Sequence, residues 1–339
     1  MAAGERMNNR RKLVIALGAG ALALPLTSFA LLAQPHTRFW RLGFPALRRV
    51  TSLSDDGVYG GLLTGLRDLG YIEGSNLIVE LRSADGRVER LPLLAAQLVQ
   101  AKVDVIVTSG SQATAAAQQA TRLLPVVMGT VSDPVGSGFV KTLARPGGNI
   151  TGLSNLGSDI SGKHFELLRE IVPKVSRVAV LVNSSNSSKQ QAIKGIDAAC
   201  RSVNVKMMPF EAETPQEIDV AFELMARQRC EALIVSLDAF FSQQRRQFAE
   251  LTLKYRLPSI FAMREHVEAG GLMSYGQNVS DNFRRAATYV DKIFKGVKAG
   301  DLPIEHSTIL ELYINRKTAR ALGLTIPPSL LIGTDKVIE

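Results

Sequence analysis

Cysteine is almost missing from this sequence, with Cys200 and Cys230 the only two in 339 residues. Two thiols cannot staple a chain of this length, so its stability must come from a buried apolar core, and a disulfide-dense scaffold is excluded. Both cysteines fall in stretches that read as helix, where small buried cysteines are common, and a free buried pair is expected rather than a bridge. Histidine is as sparse: His36, His164, His266 and His306 are scattered without metal-ligand spacing. His266 follows Arg264-Glu265, but a lone helical histidine reads as a packing or surface residue. The chain has no G-x-x-x-x-G-K-[ST] loop for nucleoside phosphates. Gly136-Ser137-Gly138 lacks the further glycine of a dinucleotide fingerprint and the flanks of a nucleophile elbow. Catalysis therefore has no residue set to rest on, and neither cofactor nor metal is expected. A clustered basic stripe is missing too. The formal charge is +9, but Lys and Arg are interspersed with acids and lack interleaved aromatics, so nucleic acid is not an expected partner.

What is present begins at the N-terminus. Arg6, Arg10, Arg11 and Lys12 precede a nearly wholly apolar run over residues 13–33, broken by Pro25, Thr27 and Ser28. Basic, then apolar, then small is the order of a secretory signal, here residues 1–33. Ser28-Phe29-Ala30 and Leu31-Leu32-Ala33 both fit a small-x-Ala cleavage site, so a mature start at Leu31 or Gln34 is expected. Arg10-Arg11 also permits the twin-arginine route. The alternative is an uncleaved anchor, since about 20 apolar residues can span a bilayer; Pro25 and the small residues favour processing. No cysteine follows the run, which argues against a lipid anchor there. A periplasmic chain is expected. Loss of residues 1–30 removes four basic groups and one acidic group and leaves +6. The remaining ~300 residues exceed one comfortable core and suggest two domains.

Along that chain one pattern repeats. Strands are expected over residues 41–44, 76–81, 103–108 and 126–129, alternating with helices over 58–69, 89–100 and 112–122. Each strand is a continuous apolar run rather than an alternating one, which indicates a parallel sheet covered on both faces. After Pro146-Gly147-Gly148-Asn149 the pattern restarts. Helices over 162–171, 188–203, 215–227 and 243–255 alternate with strands over 178–182, 206–210, 232–236 and 259–262. An extended stretch at 272–275, a long amphipathic helix at 281–294 and a strand at 308–314 then look shared between two lobes, making a hinge of several strands. From Leu324 onward an irregular segment is expected. The fold class is α/β: two Rossmann-like lobes with parallel sheets. The first lobe comprises 37–152 plus 276–303, and the second 153–275 plus 304–339.

Open parallel sheets bind ligands outside the carboxyl ends of their strands. Thr108-Ser109-Gly110-Ser111 lies at such an end, ahead of a helix whose free amides attract a carboxylate. Gly110 lets the backbone approach, and Ser109 and Ser111 add hydroxyls; Ser111 either caps its helix or touches ligand, and both can hold. The next exit brings Thr130, Ser132 and Asp133. Asp133 either accepts a ligand ammonium or organises an Asp-Pro turn. The second lobe offers Asn183 and Ser184, then Asp238, then Phe261, while Asn186 or Ser187 reads as a helix cap. Tyr275 falls where the chain recrosses.

Five stretches together carry a resemblance: "GLRDLGYIEGSNLIVELRSADG" (65–86), "VDVIVTSGSQATAAAQQAT" (103–121), "DPVGSGFVKTLARPGGNITGLS" (133–154), "GGLMSYG" (270–276) and "ELYINRKTARALGLTIPPSLL" (311–331). On these the chain resembles the ABC transporter substrate-binding proteins that include tryptophan- and tyrosine-binding receptors, of the type I periplasmic binding-protein fold. The resemblance implies two lobes with three crossovers, an interlobe cleft for a small-molecule ligand, and partnership with an inner-membrane ABC permease and its cytoplasmic ATPase. It supports Ser109, Gly110, Ser111, the loop from Thr130 to Asp133, and Tyr275 as cleft positions. This chain departs from the family pattern in having Gln277-Asn278-Val279-Ser280 after Tyr275-Gly276, and Ala239 after Asp238. The expected ligand is a small organic solute such as an amino acid or another aromatic or carboxylate compound, bound by a monomer through hinge closure. The same lobes could instead serve a periplasmic sensor for a membrane receptor, or a two-lobed racemase with a cysteine from each lobe.

Overall fold

The computed structural model describes residues 38–155, 157–306 and 309–339, and the expected signal segment lies outside them. Two sheets organise the chain. The first has the strand order β11-β5-β4-β3-β1-β2, with β1 (Trp40–Ala46), β2 (Leu77–Ser83), β3 (Val105–Ser109), β4 (Val126–Thr130), β5 (Ile150–Ser154) and β11 (Glu305–His306). All its pairings are parallel. The continuous burial of β3, β4 and β5 fits a sheet covered on both faces. The covering helices include α1 (Gly60–Asp68), α2 (Leu91–Gln100) and α3 (Gly110–Ala120).

The second sheet runs β13-β12-β10-β9-β8-β6-β7, built from β6 (Arg177–Val182), β7 (Lys206–Glu211), β8 (Ala232–Val235), β9 (Ser259–Phe261), β10 (Met273–Gln277), β12 (Leu310–Asn315) and β13 (Lys336–Ile338). Around it lie α4 (Gly157–Ile171), α5 (Lys189–Arg201), α6 (Pro215–Arg227), the short α7 (Ala239–Gln243), α8 (Arg245–Lys254) and α9 (Arg264–Glu268). One pairing departs from expectation: β12 runs antiparallel to β10. The C-terminal segment is also more regular than its Pro-Pro composition suggests. After β12 come α11 (Arg316–Leu322), closed by Gly323 in the left-handed conformation, and α12 (Pro328–Ile332), and β13 then pairs in parallel with β12. Strand β5 was not anticipated, because Thr151-Gly152 and the preceding turn residues mask a short apolar run.

Sheet membership changes after Ser154, after Gln277 and after His306, a little beyond the expected lobe boundaries in each case. The middle crossing matters most for the cleft. It delivers α10 (Val279–Phe294) from the second sheet onto the first lobe, where α10 packs along α1. Gly61 and Gly65 of α1 make that close contact possible, since a Cβ at either position would overlap the carbonyl oxygen of Ser280 or Arg284. Phe283 of α10 packs with Phe44 and Tyr59 at ring-centroid distances of 5.9 and 5.0 Å, and so ties the helix to the end of β1.

Candidate functional site

The carboxyl ends of β3 and β4 face the loops that follow β6 and β8, and between them lies a small cavity. Gly110, at φ +82°, makes the abrupt turn from β3 into α3 that a side chain would strain. Ser109 is the residue before the helix and its hydroxyl does not cap it, so the first-turn amides of α3 are left for another partner at the cleft. The helix begins at Gly110 rather than at Gln112 as expected. Ser111 is thus inside the first turn, and its hydroxyl lies 3.3 Å from that of Ser188 on the opposite lobe.

Asp238 is the electrostatic centre. It is 4 % exposed, and its carboxylate accepts four hydrogen bonds. Asn183 Nδ2 (3.0 Å) and the Phe240 amide (2.8 Å) reach one oxygen; Gln112 Nε2 (3.0 Å) and Asn186 Nδ2 (2.8 Å) reach the other. The local sequence explains the placement, because Asp238 is the N-cap of α7 and is held in an extended conformation at the exit of β8. All four donors are neutral. Among the described residues no cation pairs with this carboxylate, so a buried negative charge faces the cleft with hydrogen bonds but no counter-charge. Gln112 alone comes from the other lobe. Close by, Ser242 lines the same cavity, is 1 % exposed, and its hydroxyl has no hydrogen-bond partner.

On the first lobe the cavity is bounded by Arg48 and Tyr59. The Arg48 guanidinium lies 4.2 Å above the Tyr59 ring and forms an ion pair with Asp56, whose carboxylate also accepts the Val58 and Tyr59 amides at 2.9 and 2.8 Å. Asp56 thereby neutralises Arg48 and fixes its orientation. Thr130 donates to Asn155 Oδ1 at 2.8 Å and holds that amide in the wall.

A second recess adjoins the first and shares Ser132, Asn155, Asn186, Leu237 and Val279 with it. It extends into the second lobe between α4 and α5, past His164, Gln191 and Ile196. His164 is fully buried, which lowers its pKa, and its Nε2 sits 2.5 Å from the Tyr275 carbonyl oxygen.

Of the residues expected from sequence, Ser109, Gly110, Ser111, Thr130, Ser132 and Asp238 come together around the main cavity. The others do not line it. The Asp133 carboxylate accepts the Gly136 amide at 2.7 Å, which is the turn-organising alternative. Asn183 stands behind Asp238 as its donor, and Ser184 turns away to Glu213 at 2.7 Å. Phe261 is a core residue stacked on His266 at 4.6 Å. Tyr275 contributes its carbonyl to His164 rather than its ring to the cavity. Cys200 is buried in α5, and Cys230 lies in the loop before β8 rather than in a helix, beside Met208. Neither thiol lines the cleft. Sequence reasoning missed Arg48, Tyr59, Gln112, Asn155 and Ser242. Arg48 carried a usable signal, since it sits at the carboxyl exit of β1, the same edge that singled out Ser109.

Residues 49–338 match the family described as ABC transporter substrate binding protein. The chain belongs to that family. A tyrosine-binding protein of Clostridioides difficile (strain R20291) is 25 % identical over 264 residues, covering 78 % of this chain and 76 % of the relative. The ABC domain from Streptococcus pneumonia in complex with L-Trp superposes with a TM-score of 0.82 at 26 % identity, over 88 % of this chain and all of that one. A conserved domain protein from Vibrio cholerae gives 0.83 at 27 % over the same shares. The two-lobed α/β architecture of the family is thus present here. Among the described residues of this family member there is no group of side chains fit to hold a metal ion and no helix long and apolar enough to cross a membrane.

Proposed function

We propose that the chain is the periplasmic solute-binding component of an ABC importer, noncatalytic and monomeric, and that it captures a zwitterionic amino acid between its lobes for delivery to a membrane permease driven by a cytoplasmic ATPase. The observation that carries this reading is Asp238, a buried carboxylate without a counter-ion, set opposite the uncapped first turn of α3. An ammonium group would supply the missing charge, and a carboxylate would take the amides of Gly110, Ser111 and Gln112. Those two demands lie on different lobes, as closure by a bridging ligand requires. The partition into a first lobe of 37–152 plus 276–303 and a second of 153–275 plus 304–339 serves that motion. Relatives named for tyrosine binding and for an L-Trp complex support the amino acid class. The placement of Cys200 and Cys230 away from the cleft does not suit a racemase.

A thermal-shift panel of amino acids tests the reading. Ligand at a hundred times its dissociation constant adds about 2.7 kcal/mol, an upward shift of roughly 5 to 10 °C at ~2–4 °C per kcal/mol. A panel of aromatic, aliphatic and polar amino acids that moves the midpoint nowhere would sink it.

A further inference from the structure

We infer that Gln243 is a latch between the lobes: it holds part of the ligand-free population closed, and so scales the apparent affinity for every solute by one common factor without touching any of them. The latch concerns the lobes rather than the cargo, and it can stand or fall apart from the amino acid reading.

The short helix α7 starts from Asp238, its N-cap, and ends on Gln243. Asp238 and Ser242 line the main cavity; Gln243, one position further, lines neither recess. Its side chain crosses instead to the first lobe, where Oε1 accepts the Arg49 amide at 3.1 Å. The socket that receives it is made by the turns after β1 and β2, which are bonded to each other: the Ala84 amide donates to the Ala46 carbonyl at 2.8 Å and the Gly86 amide to the Leu47 carbonyl at 2.7 Å. Gly86 is suited to this place in two ways. It sits at φ +84°, which disfavours any side chain, and a Cβ there would lie 3.1 Å from Gln243 Nε2 and 3.2 Å from Oε1, so the amide would have to withdraw. Beside the socket, Phe240 and Phe241 of α7 belong to one apolar cluster with Leu47 and Ala84 of the same two turns. Closing the lobes therefore takes apolar surface out of water and completes a hydrogen bond outside both recesses, and this share of the closing free energy is present without a ligand. The helix is only about 1.4 turns long at 3.6 residues per turn, so Asp238 and Gln243 move as one body. Seating the latch brings the Asp238 carboxylate up to Gln112. An apparent affinity scales with the fraction of molecules already competent to bind. A residue that changes this fraction changes all affinities equally, whereas a residue that touches cargo changes them unequally.

Single-molecule energy transfer counts closed molecules with no ligand present. The dyes go on Leu93→Cys and Val220→Cys, exposed positions of α2 and α6, in a Cys230→Ser background; Cys200 is fully buried. Gln243→Ala is expected to lower the closed fraction about fivefold, the worth of one hydrogen bond. Gly86→Ala should act similarly and add little to Gln243→Ala in the double variant, because the three atoms nearest to the new methyl all belong to Gln243. Its backbone strain is common to the open and closed forms and cancels. With L-tyrosine, L-tryptophan and L-phenylalanine as probes, every measurable affinity should fall by that same factor in Gln243→Ala. A ligand-free population with no closed molecules, or a closed fraction that Gln243→Ala leaves unchanged, overturns the latch. Losses of affinity that differ by more than about threefold among the three amino acids also overturn it, since they make Gln243 a ligand contact. Additive losses in the double variant remove Gly86 from the latch. If none of the three binds while the closed fraction still falls in Gln243→Ala, the amino acid reading fails and the latch stands.

Discussion

In Asp238→Asn the group that joins the lobes keeps its shape and loses its charge, and the structure lets the two consequences be worked out separately. Four neutral donors surround the carboxylate. Asparagine Oδ1 can still accept from Asn183 and the Phe240 amide, while its Nδ2 faces Gln112, whose amide can turn to present oxygen, and Asn186, whose Oδ1 is held by the Ser188 amide at 3.0 Å. Without ligand, weaker hydrogen bonds are offset by relief of a buried uncompensated charge, and the net change in stability should stay within about 1 kcal/mol. With ligand the balance differs. Deleting one partner of a buried ammonium–carboxylate pair costs roughly 2–5 kcal/mol, a loss of affinity from about thirtyfold to a few thousandfold. The assay is paired: titration calorimetry with the best amino acid of the panel, and a melt of the ligand-free variant. Wild-type affinity in the variant refutes the charge argument. A fall of the ligand-free midpoint by more than about 10 °C would instead make Asp238 a structural post, and the cleft would then need another site for the ammonium.

Two further outcomes follow from the packing and from a buried base. Gly61→Ala places a methyl group against the Ser280 carbonyl at the start of α10; the forced separation of α1 and α10 should cost about 1–3 kcal/mol, read as a drop in melting temperature, and an unchanged midpoint would show that the helices part freely. His266 is 3 % exposed, and burial, partly opposed by its hydrogen bond to the Phe241 carbonyl, lowers its pKa from 6.5 to about 4. The unfolded chain therefore binds the extra proton between those values. Its contribution of about 3 kcal/mol is complete above pH 6.5 and is lost as pH falls towards 4. Urea melts across that window should steepen in the wild type and flatten in His266→Gln; parallel profiles would refute the assignment.

Much of this was legible beforehand, for reasons that also mark where legibility stopped. Continuous apolar runs such as "VIV" at 105–107, alternating with helical stretches, read as strands buried on both faces, and the expectation of a site at their carboxyl edge comes from that reading. Local chemistry separates the strand-end residues poorly, however. Asp133 and Asp238 both follow apolar strands, and each could bind a ligand or order a loop. The structure gives the loop to Asp133, through Gly136, and the cleft to Asp238, through Gln112. That difference depends on which lobe the residue opposes, a long-range property that periodicity does not carry. Gln112 was hidden in the same way, as a helix residue whose partner is 126 positions away. The antiparallel β12 and the paired β13 were missed because strand direction is set by connection geometry, and the stretch before β13 has the composition of a loop.

The contacts that already join the lobes suggest how capture and release are balanced. Ser111 with Ser188, Ser137 with Ser187 at 2.8 Å, the Arg49 amide with Gln243 at 3.1 Å, and Gln112 with Asp238 cross the cleft as hydrogen bonds that water can replace on opening. Each is then worth on the order of 1 kcal/mol net. An apolar cluster containing Leu47, Ala84 and Ala113 of the first lobe with Phe240 and Phe241 of the second adds to closure, while ordering the hinge opposes it. Swinging such an equilibrium from one part in a hundred to ninety-nine takes about 5.5 kcal/mol of differential affinity. Hydroxyls and amides of the first lobe alone cannot supply that, because a ligand held there gains nothing from the second lobe until Asp238 arrives. On the proposed function, the uncompensated carboxylate would be what makes closure depend on cargo, and a solute lacking an ammonium group is expected to bind the open cleft without shutting it.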